Sequence, residues 1–88
     1  MPYIEEASRQ DLDPFINKVI NELEGGDWKP GEVNYTIYRI MLAWWKNESR
    51  YSTVCSIMGT LACVAQEFYR KIAGPYENKA AERNGDVT

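Results

Sequence analysis

Residues 52–72, STVCSIMGTLACVAQEFYRKI, constrain the fold of this chain more than any other stretch. The stretch contains no proline, and its apolar residues recur every three or four positions, the spacing of one helix face. They are Val54, Ile57, Met58, Leu61, Ala65, Phe68 and Ile72. A second, mostly small stripe consists of Cys55, Gly59, Ala62, Cys63 and Gln66. A glycine inside a helix usually has a packing reason, so the sequence predicts a central helix that packs on two sides.

Composition limits the chain to one small domain. Its 88 residues, of which 44% are hydrophobic, suffice for a core. We therefore expect a single helical domain over residues 1–88. No apolar run approaches the roughly 20 residues of a membrane span, and the acidic start MPYIEEASRQD lacks the features of a signal peptide. These features predict a cytoplasmic protein without a membrane partner.

Both cysteines, Cys55 and Cys63, fall within the predicted central helix. Eight positions along a helix span about 12 Å, which is beyond the Cα separation that a disulfide tolerates. We expect them to be buried thiols in a reducing compartment. Because the chain has no histidine and no CxxC motif, we expect no metal site.

Charge is distributed unevenly along the chain. Residues 1–32 carry eight acidic and three basic side chains, a net charge of −5, whereas residues 33–88 carry five acidic and seven basic ones, a net charge of +2. A protein that follows a long nucleic acid needs a basic stripe and is usually basic overall. The sequence therefore predicts that the protein does not bind a long nucleic acid. Residues 33–88, which are basic overall, could hold a small anion or contact an acidic patch on another subunit.

The remaining segments predict three further helices. Asp13-Pro14 is a favourable start for the first main helix, and a turn of helix over residues 5–11 is expected before it. This first helix is amphipathic with one apolar side, and Gly25-Gly26 ends it. The second helix covers roughly residues 32–47, and its short connection to the central helix predicts an antiparallel hairpin of the two. Proline is disfavoured inside a helix, so we expect a kink or break at Gly74-Pro75, with Pro75 opening a short last helix. The predicted fold is an all-α bundle of three main helices plus this C-terminal one.

Helix two differs from the first helix because it has two apolar stripes. Val33, Ile37, Ile40, Met41 and Trp44 form one stripe, and Tyr35, Tyr38, Leu42 and Trp45 form another on nearly the opposite side. Either the C-terminal segment or another subunit covers the second stripe. Its aromatic composition is typical of interfaces, and we expect a homo-oligomer, most simply a C2 dimer, with this stripe at the interface. In the preceding loop, Trp28 either folds over the core or faces a ligand or partner.

Several motifs together resemble one family. They are Met1-Pro2-Tyr3-Ile4, Leu12-Asp13-Pro14, Gly31-Glu32-Val33-Asn34-Tyr35, Gly59-Thr60-Leu61-Ala62-Cys63, Glu67-Phe68-Tyr69-Arg70-Lys71, Pro75-Tyr76-Glu77-Asn78-Lys79 and Asn84-Gly85-Asp86-Val87. The family consists of small proteins of unknown function from phages, bacteria and archaea. The chain departs from it at Gly74, where alanine is expected, and at the aromatic pair Trp44-Trp45. The resemblance implies no activity. It allows a phage origin, in which case we expect the host cytoplasm, and small phage proteins often bind and block host components.

The chemistry of the side chains argues against an enzyme. A Ser or Cys nucleophile needs a base, and the chain has no histidine. Its glycines do not form a phosphate-binding loop. Glu67 is the one central carboxylate, and we expect it to form an i,i+4 ion pair with Lys71. We expect no catalytic residue and no cofactor.

Arginines among aromatic residues form the candidate ligand site. Aromatic rings stack on bases, and guanidinium groups match phosphates and carboxylates. The candidate residues are Asn34, Tyr35, Arg39, Tyr69, Arg70 and Tyr76. The alternative is that the tyrosines lie at the edge of the core and that the two arginines pair with Glu67, Glu77 or Asp86.

Two classes of function follow. In the first, the chain is an oligomer that sequesters an anionic, nucleotide-derived signal, as some phage anti-defence proteins do. In the second, it is a protein–protein interaction module that binds a host or phage protein through the aromatic stripe of helix two.

Overall fold

The computed structural model of the protein describes residues 4–85, and these residues are almost entirely helical. The elements are α1 (Glu6–Gly25), α2 (Pro30–Asn47), α3 (Tyr51–Phe68), a π-helical segment (Tyr69–Ala73) and α4 (Gly74–Asn84). The last three join into one continuous helical stretch of 34 residues. Residues 4–85 contain no strand, so the predicted all-α fold of three main helices is confirmed.

The chain divides into two compact units, and α2 contributes to both. One unit runs to Ile40 and the other begins at Met41. The single domain over residues 1–88 stays a prediction. Asp86, one of the alternative partners of the two arginines, lies outside the described part of the chain.

Helix α1 begins seven residues earlier than the sequence suggests, at Glu6, and contains Pro14 in its interior. The prediction of a start at Asp13-Pro14 is therefore wrong. A proline inside a helix removes the hydrogen bond to the carbonyl four residues before it, here that of Gln10. The helix nevertheless continues, since its apolar positions run unbroken through Leu12, Phe15 and Ile16. Its predicted end is confirmed, because Gly26 N–H donates to Glu22 O at 3.2 Å.

The loop between α1 and α2 turns through two left-handed residues. Asp27 has φ 62° and Trp28 has φ 57°. Their amides close the end of α1, since Asp27 N–H donates to Glu24 O at 2.9 Å and Trp28 N–H to Leu23 O at 3.0 Å. Trp28 is 48% exposed, and its placement over the core or against a ligand or partner stays a prediction.

Helix α3 is covered on much less of its surface than predicted. Its buried residues are Thr53 and Ile57. On the predicted inner face, Met58 and Phe68 are 61% and 62% exposed. Both cysteines are also exposed, and neither forms a disulfide. The prediction of buried thiols is wrong because it assumed packing on the small stripe, where an added Cβ on Gly59 would meet no atom within 4 Å.

The predicted break at Gly74-Pro75 is replaced by the π segment. Gly74 N–H donates to Tyr69 O, the five-residue hydrogen bond of a π turn. Pro75 has no N–H to donate, and its ring would clash with the carbonyl of Lys71 in a regular α-helix. A wider turn relieves that clash, so the backbone stays helical through the proline. A Cβ on Gly74 would lie 3.1 Å from Tyr69 O, so glycine suits this close approach.

Ile57→Ala tests whether the small core of the second unit holds α3 in place. We expect a loss of about 2–4 kcal/mol in the free energy of unfolding, since the change leaves a cavity in a buried site. Tyr51→Ala, at a side chain that is 83% exposed, should change it by less than about 0.5 kcal/mol. Urea denaturation followed by circular dichroism measures both, and equal effects of the two substitutions would contradict the assigned core.

Candidate functional site

An apolar groove lies between α1 and the first part of α2, within the first unit. It has a volume of about 330 Å³ and is lined by Phe15, Ile16, Val19, Ile20, Leu23, Val33, Thr36, Ile37 and Ile40. Thr36 is the single polar residue, and its hydroxyl is engaged because it donates to Glu32 O at 2.8 Å. Such a lining can recognise apolar side chains and offers nothing for a charged ligand.

The groove is open to solvent along its length. Phe15 is 64% exposed and Ile40 57%, and Val19 in the middle of α1 is still 42% exposed. A core-facing helix surface normally buries such residues at a gain of about 1.5–3 kcal/mol each. The residues that line the groove are as apolar as those of a protein core, yet they are exposed to solvent as the residues of a binding site are.

The candidate ligand residues of the first unit lie on α2. Arg39 Nη1 donates to Tyr35 Oη at 2.9 Å, and the guanidinium lies 5.7 Å from the centroid of the Tyr35 ring. Arg39 has no carboxylate partner within the described residues of the first unit. Asn34, beside Tyr35 in the sequence, is exposed on the same helix. The alternative pairing of Arg39 with Glu67 or Glu77 would join the two units and stays a prediction.

The candidate residues of the second unit surround the π segment, and two of them already have partners. Arg70 Nη2 donates to both carboxylate oxygens of Glu67, at 2.8 and 2.9 Å. Lys71 Nζ lies 2.9 Å from Glu67 Oε1, so the predicted i,i+4 pair is confirmed. Tyr69 Oη donates to Glu77 Oε2 at 2.8 Å. Tyr76, in contrast, is 68% exposed.

These contacts shift two pKa values. The hydrogen bonds from Arg70 and then Lys71 lower the pKa of Glu67 below its usual 4.5, because they favour the carboxylate. The hydrogen bond to Glu77, together with the negative charge of that carboxylate, raises the pKa of Tyr69 above its usual 10.0. Both pairs stabilise the helical stretch around the π segment. An anion that approached Arg70 would have to compete with Glu67.

The structure thus brings Tyr35 and Arg39 together in one unit, and ties Tyr69 and Arg70 to carboxylates in the other. A single pocket that joins the two groups stays a prediction.

The predicted oligomer interface is exposed at its aromatic start. Tyr35 and Tyr38 are 59% and 58% exposed, and Trp45 is 36% exposed. Leu42 is half-buried. The two tyrosines are therefore available for a contact with another molecule.

Searches for two other kinds of site were negative. Residues 4–85 contain no group of three or more side chains placed to hold a metal ion. Within the same residues, no helix is both long and apolar enough to span a bilayer.

The fold and these surfaces define a small all-α protein whose apolar surfaces are largely uncovered. A family model described as a domain of unknown function (DUF6899) matches residues 1–87. The chain belongs to this family. No curated protein matches the sequence, and no solved structure matches the chain.

Sequence reasoning missed the groove. The apolar spacing of α1 was interpreted as an ordinary buried face, because an amphipathic helix usually has one covered side. The periodicity of α1 and of the Val33–Ile37–Ile40 stripe correctly identifies residues that face each other. Periodicity does not reveal that no described residue of the first unit closes the space above them.

The shifted pKa of Glu67 makes stability depend on pH. Since the folded pKa lies below the unfolded value, Glu67 contributes stability above pH 4.5 that is lost as the pH falls through the folded pKa. Thermal melts of wild type and Glu67→Gln, from about pH 6 to about pH 3, should therefore converge as the pH falls. Glu82→Gln, at a carboxylate with no ion pair in residues 4–85, is the control and should keep the wild-type pH dependence. An unchanged acid dependence in Glu67→Gln would contradict the assignment.

Proposed function

We propose that this protein is a non-enzymatic binding protein that works as a homo-oligomer and makes its contacts through exposed apolar side chains. The open groove of the first unit carries this proposal. Its lining is apolar apart from Thr36, and Phe15 and Ile40 in that lining are 64% and 57% exposed.

Burial of individual residues supports the same proposal. Of the apolar side chains within residues 4–85, only Ile57 is buried. Contiguous exposed apolar surface on a soluble protein usually marks an interaction site. The absence of histidine from the sequence leaves a hydroxyl or thiol nucleophile without its usual base, which favours binding over catalysis.

The exposed tyrosines of α2 are the proposed contact with a second molecule. Tyrosine is enriched at the centres of interfaces because it buries a large ring and keeps a polar tip. Tyr38 has no side-chain hydrogen bond among the described residues, unlike Tyr35 with Arg39. A contact through Tyr38 would therefore not disturb an existing interaction.

Sedimentation velocity over a range of concentrations tests this proposal. We expect a mass above that of the monomer in the micromolar range. Tyr38→Glu should weaken association about tenfold or more, the effect of losing at least about 1.4 kcal/mol at an interface. Tyr51→Glu makes the same change at another exposed tyrosine and should leave association unchanged. A wild-type protein that stays monomeric throughout would overturn the proposal.

Arg39 favours a second candidate function, binding of an anionic and nucleotide-like small molecule. Its guanidinium is held against the Tyr35 ring and donates one hydrogen bond to the hydroxyl, which leaves other N–H groups for a phosphate or carboxylate. Asn34 would add a polar contact, and Tyr69, Arg70 and Tyr76 would complete the site if the two groups meet. If the protein is phage-encoded, sequestration of a nucleotide signal would serve anti-defence in the host cytoplasm.

Thermal shifts with nucleotides and cyclic dinucleotides test the second candidate. A ligand at a hundred times its Kd should stabilise the protein by about 2.7 kcal/mol. Arg39→Ala should abolish the shift and change the unliganded stability by less than about 0.5 kcal/mol, as expected for a surface substitution. Arg50→Ala, which removes an exposed arginine paired with Glu48, should retain the shift. A full shift in Arg39→Ala, or none in wild type, would contradict the candidate.

The two cysteines bear on localisation. Cys55 and Cys63 are exposed and unpaired. Free exposed thiols persist in a reducing compartment and are readily oxidised elsewhere. This supports the cytoplasm as the proposed location.

A further inference from the structure

Helix α3 has the composition of a helix that is covered on several sides. Glu67 is the only charged residue of Tyr51–Phe68. Yet Met58 and Val64 are each 61% exposed, and the cysteines and Gly59 are exposed as well. Helices that lack a charged face are normally buried in a larger core. Within its own unit, α3 buries only Thr53 and Ile57.

One face of α3 continues from the buried residues into solvent. Leu61, Val64 and Phe68 follow Ile57 at spacings of four, three and four, the pattern of a helix that packs against other helices. Ile72 comes four positions later, about one turn of the π segment, so the face extends through it. We call Leu61, Val64, Phe68 and Ile72 the α3 stripe. Leu61 is half-buried, and the last three are 61%, 62% and 55% exposed.

The α3 stripe and the groove match in length and chemistry. The α1 wall of the groove runs from Phe15 to Leu23, and the exposed part of the stripe runs from Val64 to Ile72. Each is eight positions, or about 12 Å of helix. An apolar groove between two helices can accept a third helix, as in other helix-in-groove contacts. Both surfaces are open, so each can accept a partner.

Charge around the two surfaces is complementary. Residues 1–40 carry eight acidic and four basic side chains, a net charge of −4. Glu22 and Glu24 flank Leu23 at one end of the groove. Residues 61–85, which comprise the stripe and the helix after it, carry four basic and three acidic side chains, a net charge of +1. Opposite charges at the rims of an apolar contact favour association and fix its orientation.

From these matches we infer that the α3 stripe of one copy lies in the α1–α2 groove of a second copy, and that the contact is reciprocal in a C2 dimer. The inference rests on the proposed homo-oligomer and gives it a second interface, besides the proposed contact through the α2 tyrosines. Two such contacts per dimer would cover the groove and the stripe of both chains. A second copy fits because one chain carries both halves of the contact. The aromatic side chains of α2 would remain for a further contact.

Cross-linking between two different single-cysteine variants tests this interface. In a Cys55→Ser, Cys63→Ser background, one variant carries Ile20→Cys in the groove and the other Phe68→Cys in the stripe. After the two are mixed and allowed to exchange, a short bismaleimide should give mainly the mixed dimer. The matched control is Gln66→Cys, which lies two positions before Phe68 on the small stripe of α3. It should give about tenfold less cross-linked product with Ile20→Cys than Phe68→Cys does. If Phe68→Cys alters the circular dichroism spectrum, Val64→Cys takes its place in the same experiment.

Four results would count against the inference, and they are separable. A monomeric wild type would overturn the proposed function and the inference together. An oligomer that gives no groove-to-stripe product would overturn the inference alone. A predominant Phe68→Cys homodimer would show pairing of α3 with α3. Efficient intramolecular cross-linking in a dilute Ile20→Cys, Phe68→Cys double variant would show that the stripe of the same chain fills the groove.

Association constants provide an independent measurement. Phe68→Ala should raise the dimer Kd about tenfold or more, because it removes a large apolar side chain from the centre of the contact. Gln66→Ala should leave the Kd unchanged. Equal Kd values for Phe68→Ala and wild type would overturn the inference.

Discussion

The need to cover an almost uncharged helix is the constraint on which the rest of this structure depends. With one carboxylate in its 18 residues, α3 gains little from contact with water. The neighbouring α4, by contrast, has charged residues along its length and can remain exposed. Small domains bury a smaller fraction of their surface than large ones, and α3 buries only Thr53 and Ile57.

Local features of the structure follow from the sequence. The Gly25 end of α1, the Asn47 end of α2 and the Glu67–Lys71 ion pair all depend on residues within one turn of each other. The two predictions made at prolines are wrong. At Pro14 and Pro75 the sequence indicates a start or a break, yet the helix continues in both places. The cost of an internal proline depends on whether one carbonyl can move aside, and a residue pattern does not contain that information.

Burial was the least predictable property, in the fold and in the candidate site. Apolar spacing correctly identifies the faces of α1, α2 and α3, but it cannot state which face meets another part of the same chain. Cys55 and Phe68 illustrate the limit, since both were expected inside and both are exposed. In the candidate ligand site, the Arg39–Tyr35 contact follows from i,i+4 spacing on one helix. The Tyr69–Glu77 hydrogen bond spans eight positions, and it forms across a π segment that the spacing of an α-helix does not anticipate.

The π segment determines where this helical stretch can change its length by one residue. A π turn holds one residue more than an α-helical turn, and it is the usual way in which a helix absorbs a single inserted residue. The residues after Tyr69–Ala73 therefore keep the orientation that they would have in an α-helix shorter by one residue. A helix of this kind can lose one residue at this point and become a regular α-helix without rotating α4 relative to α3. An insertion within α3, by contrast, would rotate its later apolar residues away from the face of the buried Thr53 and Ile57.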